Sequence, residues 1–250
     1  MRLSVIVPVL NSHEALRRQL LFLEKSGLPD GTELILVDDG SDPPIENTSR
    51  LPVKILRTHD TRPWTWPLAR NLAAREAAGE YLLMYDLDHI ITRKCMDFVV
   101  EHDAIRVHFL RHFGVIDEHG VLKTDRPTLE SYGLLFPGKR IETHHNSFAI
   151  RAELFWELGG YREDLIGERY PAGEDSQLYA AWNKYAAEHD TESLEGPIQY
   201  VFPTGRWCGD VDHDQFGLFH KLSRRSDKNF WWLQQKEFGV CPTVSPRTCR

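Results

Sequence analysis

No C-x-x-C pair occurs among the four cysteines, Cys95, Cys208, Cys241 and Cys249. That spacing excludes a zinc knuckle and points to reduced thiols in a cytosolic setting. Cys241 and Cys249 are the two close enough in sequence to pair. No apolar run approaches the roughly 18 residues that a membrane span requires. The run in "MRLSVIVPVLNSHEA" is too short for a signal peptide and lacks a small-residue cleavage site. Positive charge is in deficit, with 30 Lys and Arg against 37 Asp and Glu, a formal net charge of −7. Bulk electrostatics therefore do not recruit nucleic acid, and an anionic substrate would need a local positive site or a metal. Internal repeats and low-complexity segments are missing as well. A cytoplasmic protein, or one peripheral at a membrane, is expected.

What is present is ordinary globular material. The 250 residues are 41% hydrophobic and 27% charged, enough for one α/β domain with a sizeable core. "LSVIVPVL" and "ELILVDDG" are nearly continuous apolar runs, as expected of strands buried on both faces. "VKILRT" and "YLLMYDLD" are further strands. Between them, Leu16, Leu20 and Leu23 recur at helical spacing after a capping-box pair, Asn11 and Glu14. Gly27 and Pro29 stop that helix, and "LARNLAAREAAG" forms the next. The order predicts an open, mostly parallel, Rossmann-like sheet flanked by helices over residues 1–92. A less regular half follows over 93–210, with a basic and aromatic tail over 211–250. In that half "VLKTDRPTLESYGLLFPGKR" reads as loop, "AELFWELGG" and "DSQLYAAWNKYAAEHD" as helices, and "GPIQYVF" as a strand.

Ligands of open α/β sheets bind beyond the carboxyl ends of the strands. Three predicted strands end there in suggestive residues: Pro8 to Asn11, Asp38 to Ser41, and Asp86 to Asp88. Alone, D-D-G-S is a turn sequence and D-x-D a solvated strand end. Gathered at one sheet edge, the carboxylates would repel one another unless a cation or hydrogen-bond donors compensate, and hard divalent cations take oxygen ligands.

"LSVIVPVLN", "LILVDDGSD", "ARNLAAREAAGEYLLMYDLDHI" and "AGEDSQLYAAW" together resemble the inverting glycosyltransferases of family 2, which have the GT-A fold. The resemblance covers about residues 1–185. It implies a nucleoside diphosphate sugar, UDP being the favoured carrier by analogy, lying over the strand ends. Pro8, Asn11, Asp38, Asp39, Arg70, Asn71 and Asp86 would surround the nucleotide, with Asp38 on the base. Asp88, helped by Asp86, would ligate Mn2+ or Mg2+, since the leaving phosphate oxygen develops charge that a Lewis acid offsets. Asp175 would be the general base toward an acceptor hydroxyl of a glycan, a lipid-linked sugar or another molecule, with Glu174 assisting. Several of these positions have plainer readings: Asp175 as a helix N-cap, and Arg70 and Asn71 as a solvated helix start. His220, preferred over His213, would be the third metal ligand, with Arg224 and Arg225 toward the diphosphate. His89 reads as a packing or hydrogen-bonding residue. His144, His145 and Asn146 are candidate sugar contacts. Trp231 and Trp232 could stack on sugar rings, with a core role favoured.

Other classes fit less well. "LLMYDLDHI" resembles the nucleophile strand of haloacid-dehalogenase phosphatases, but that motif normally lies near the N-terminus, and Ile90 stands where Thr or Val is usual. A nucleotidyltransferase would want a Gly-rich loop after the first strand, where "VPVLNSHEA" has no glycine. A non-catalytic nucleotide-sugar binder is the remaining alternative; the presence of both Asp88 and Asp175 speaks for catalysis.

Overall fold

The computed structural model describes residues 2–60, 62, 65–132, 141, 143–166 and 174–202. Apolar alternation with period two builds its centre. In β1 (Leu3–Val9), Leu3, Val5, Val7 and Val9 face one layer and Ile6 the other. α1 (His13–Ser26) carries Leu16, Leu20 and Leu23 onto the first of these faces. The helix ends at Gly27, whose φ of 71° suits a residue without Cβ and whose N–H closes onto Leu23 O. β2 (Thr32–Asp38) and β3 (Val53–Arg57) extend the sheet outward. α2 (Trp66–Glu76) crosses the opposite face with Ala69 and Ala73 buried, and β4 (Tyr81–Met84) returns beside β1. Gly79, in the turn between them, approaches β1 so closely that a Cβ would lie 2.5 Å from the Ser4 nitrogen.

The second half completes the same sheet. β5 (His89–Ile90) and α3 (Arg93–Glu101) follow β4, then β6 (Arg106–Phe113), a small hairpin of β7 (Val115–Ile116) and β8 (Leu122–Lys123), and α4 (Arg126–Ser131). β9 (Phe148–Arg151), α5 (Ala152–Glu157), α6 (Glu174–Glu188) and β10 (Leu194–Val201) close the described chain. The eight-stranded sheet runs β3-β2-β1-β4-β9-β6-β10-β5. β1, β2, β3 and β4 are mutually parallel, and β6 and β10 run with them. β9 and β5 are antiparallel to their neighbours. The sheet is thus open and mixed, with a parallel majority. Strands from before and after residue 92 share it.

Two local expectations fail for identifiable reasons. The capping box does not form. Asn11 sits at φ 51°, its side chain accepting from the Asp42 N–H, while Glu14 pairs with Arg17 and Arg18. The segment read as loop holds β8 and α4, the latter capped by Asp125, whose side chain accepts from the Thr128 N–H at 3.0 Å.

Candidate functional site

Parallel pairing aligns the carboxyl ends of β1, β2 and β4: Val9 lies opposite Asp38, and Ile6 opposite Met84. Beyond those ends sit the acids, and their surroundings divide them into two groups.

Asp38 and Asp39 are buried and serve the loops around them. Asp38 accepts from the N–H groups of Gly40 (3.2 Å), Ser41 (2.8 Å) and Ile45 (3.1 Å). Asp39 accepts from the hydroxyls of Thr58 (2.9 Å) and Thr65 (2.7 Å). Asn11 closes the same loop, its N–H donating to Ser41 Oγ. Pro8 lies inside β1, buried. Asn71 is also engaged: its amide donates to Tyr161 O and Glu163 Oε1 and accepts the Tyr161 N–H. Four of the residues expected on the nucleotide, Asn11, Asp38, Asp39 and Asn71, are therefore tied into the frame beneath the strand ends.

The second group faces outward. Asp86 and Asp88 expose 27% and 24% of their side chains. Arg70, buried from the first turns of α2, donates to Asp86 and packs 5.3 Å from the Tyr161 ring centroid. His144 approaches Asp86 from the other side, Nδ1 to Oδ2 at 3.6 Å. Burial pushes its imidazole down to about 4, against the pull of Asp86, so it is neutral at physiological pH. Asp88 lies beside His89, which is 2% exposed, at 2.8 Å. Donor atoms of Asp86, Asp88 and His89 all fall within 4.8 Å of one another, a cluster able to hold a metal ion. Two partly exposed carboxylates suit a hard divalent cation. Asp86 is partly neutralised by Arg70, and Asp88 is engaged by His89.

The turn carrying these acids is pinned through its backbone. His89 N–H donates to Asp86 O, Tyr85 N–H to Ile6 O, and Phe202 N–H to Asp88 O. Gln19, buried on α1, donates its amide to Leu87 O at 3.2 Å and also to His89 O. Sequence reasoning missed Gln19, Arg111, Tyr161 and the approach of His144 to Asp86. Gln19 and Arg111 left a signal, each being a polar residue on an apolar phase. Gln19 lies between Leu16 and Leu23 on the buried stripe of α1. Arg111 shares the buried phase of β6 with Val107, Phe109 and Phe113.

Asp175 stands in the first turn of α6, where a carboxylate is favoured by the helix dipole. Its Oδ1 accepts from the Ser176 N–H at 2.7 Å, so it does not cap the helix in the expected way. His145 stacks on Tyr179, one turn further along, with centroids 4.2 Å apart. The segment 144–145 thus touches Asp86 on one side and the start of α6 on the other. Asn146 is buried and accepts from the Tyr161 hydroxyl at 2.9 Å. The Glu174 side chain and His213, His220, Arg224, Arg225, Trp231 and Trp232 lie outside the described residues, as do Cys208, Cys241 and Cys249. Cys95 is buried and free. Among the described residues, no helix is long and apolar enough to cross a membrane.

Known proteins share this arrangement of strands. S. aureus TarS in complex with UDP aligns at 19% identity over 82% of this chain and 61% of its own, with a TM-score of 0.51. S. aureus TarS with UDP-GlcNAc aligns at 16% identity over 100% of this chain and 78% of its own, with a TM-score of 0.53. The mannosyltransferase PcManGT from Pyrobaculum calidifontis, in complex with GDP-Man and Mn2+, aligns at 18% identity over 80% of this chain and 56% of its own, with a TM-score of 0.51. This chain thus spans less than two thirds of the UDP-bound TarS chain and of PcManGT. At such identities the likeness is one of fold, the GT-A type of nucleotide-sugar enzymes. No curated protein matches the sequence. The profile described as Glycosyl transferase family 2 matches residues 4–159, from β1 through α5. That is more than half of the 250 residues, and the chain belongs to glycosyl transferase family 2.

Proposed function

We propose that this glycosyltransferase moves a sugar from a nucleoside diphosphate sugar to an acceptor hydroxyl with inversion, aided by Mn2+ or Mg2+. The observation that carries the reading is the pair Asp86 and Asp88, partly exposed and braced at the carboxyl edge of a family 2 sheet. Asp88 is the principal ligand of the cation, Asp86 a secondary one, and His220 the third. When bound, the cation supplies Lewis-acid stabilisation of the leaving diphosphate. Arg70 fixes Asp86, while Arg224 and Arg225 pair with the diphosphate. Asp38, Asp39, Asn11, Asn71 and Pro8 shape the loops on which the nucleotide rests. Asp175 takes the proton of the acceptor hydroxyl as its oxygen attacks the anomeric carbon opposite the breaking bond to the diphosphate, and Glu174 assists. The contacts of His144 with Asp86 and of His145 with Tyr179 support placing the first turn of α6 at the same edge.

The structures of similar fold hold UDP, UDP-GlcNAc and GDP-Man with Mn2+. UDP-sugars are the first donors to try and GDP-sugars the second, with glycans and lipid-linked sugars as acceptors. A cytoplasmic location, with or without peripheral contact with a membrane, belongs to the same proposal. Family membership sets aside the phosphatase reading of "YDLDHI", and the engagement of Asp86 by Arg70 and His144 agrees, since a phosphatase nucleophile would have to attack from that position.

The test is transfer from a panel of nucleotide sugars, with the anomeric configuration of the product read by NMR. Asp175→Asn should lower kcat by about 10²–10⁴-fold while donor binding survives, the range expected for loss of a general base. Loss of donor binding with unchanged turnover at saturation would assign Asp175 to the donor pocket instead. A product with retained configuration would contradict the inverting reading.

A further inference from the structure

The cluster at Asp88 contains a nitrogen ligand candidate, His89, whose hydrogen bonds decide what it does. Arg111 Nη1 lies 3.2 Å from His89 Nε2, and His89 Nδ1 lies 2.8 Å from Asp88 Oδ1. A guanidinium only donates hydrogen bonds. His89 Nε2 must therefore be the acceptor, and its proton must sit on Nδ1, where it donates to Asp88. The other tautomer would set two N–H groups against each other across the Arg111 contact. With Nε2 committed to Arg111 and Nδ1 carrying the proton, neither ring nitrogen offers a lone pair to a metal.

We infer that His89 and Arg111 are positioning residues: Arg111 fixes the His89 tautomer, and His89 fixes the carboxylate of Asp88 for the cation. The inference rests on the metal-dependent reading above. Partners of this kind hold a ligand in one orientation and reduce the rearrangement needed on binding. The geometry is well supported. His89 and Arg111 are both buried, and Arg111 projects from the core phase of β6. β5 and β6 both pair with β10, and Val201 lies opposite both His89 and Phe113. On the far side of the turn, Gln19 holds the carbonyls of Leu87 and His89. The main chain and side chain of the acidic turn are thus fixed from α1, β6 and β10 together.

Asparagine in place of His89 keeps an N–H donor near the position of Nδ1, whereas leucine removes it. Binding of Mn2+, alone and with UDP present, would be followed by electron paramagnetic resonance, with melting temperature as the folding control. The expected result is that His89→Asn binds within about threefold of wild type, while His89→Leu weakens binding by about 10–100-fold, the usual cost of losing such a partner. Arg111→Met should weaken it by a smaller factor, because His89 is then free to take either tautomer. Equal loss in His89→Asn and His89→Leu would make His89 a direct ligand and overturn the inference. Unchanged binding in His89→Leu would reduce His89 to core packing. Should His89→Leu fail to fold, Arg111→Met and His89→Asn decide: unchanged binding in the first, or large loss in the second, rejects the inference. Wild-type protein that binds no Mn2+, or Asp88→Ala protein that binds it as wild type does, would instead reject the metal-dependent reading itself.

Discussion

At the scale of single residues, the acids of the strand ends separate by what surrounds them. The sequence presents Asp38, Asp39, Asp86 and Asp88 as equivalent members of two short motifs. Their division into a buried pair and a partly exposed pair depends on how the loops around Asp38 and Asp39 close. Asp38 accepts from the N–H groups of Gly40, Ser41 and Ile45, an arrangement set by a turn conformation that D-D-G-S favours but does not specify. Asp38→Ala should therefore cost about 2–4 kcal/mol, because buried donors lose a charged acceptor. Urea denaturation of the apoprotein measures this. A variant of native stability that loses nucleotide affinity would place Asp38 on the base instead. His89 was legible as a hydrogen-bonding residue from its place beside the acids, but its partner was not, since an arginine on the buried phase of β6 has no local explanation.

At the scale of elements, periodicity carried most of the fold. β1, β2 and β4 read directly from apolar runs, α1 and α6 from helical spacing, and the end of α1 from Gly27. The misreadings arose where short polar segments find tertiary partners. β8 is one case: its hairpin with β7 leans on α1 through Arg17, which donates to Glu118 O, and Arg18, which donates to Ile116 O. Glu14 orients both arginines, and the Arg17 hydrogen bond beside it holds its carboxyl down at about 2. A carboxyl depressed in the fold stabilises above its unfolded pKa, near 4.5, and that contribution is lost as pH falls toward about 2. Glu14→Gln should thus lower stability at pH 7 by about 0.5–1 kcal/mol, as for partly exposed pairs, and flatten the stability–pH curve between pH 5 and pH 2. Thermal melts across that range give the comparison. An unchanged slope would show that Glu14 contributes nothing to acid sensitivity.

At the scale of the whole molecule, a chain with net charge −7 would have to attract the proposed polyanionic donor through local features. The carboxyl edge of the sheet offers one: a cation held by Asp86 and Asp88, as proposed above, would make that edge complementary to a diphosphate. The fold class and family were legible because they depend on element order and on motifs at strand ends. The bracing of the site was not, because Gln19 and Arg111, although marked as polar residues on buried phases, find partners that the local sequence does not name. The central claim is that Asp88 holds the cation through which the donor binds. Its most direct test is the melting temperature with Mn2+ and UDP or GDP, for wild type and Asp88→Ala in parallel. Wild type should rise by several degrees with metal and nucleotide together, as about 2–3 kcal/mol of linkage at saturating ligand requires, and Asp88→Ala should not. An equal rise in both proteins would contradict the account.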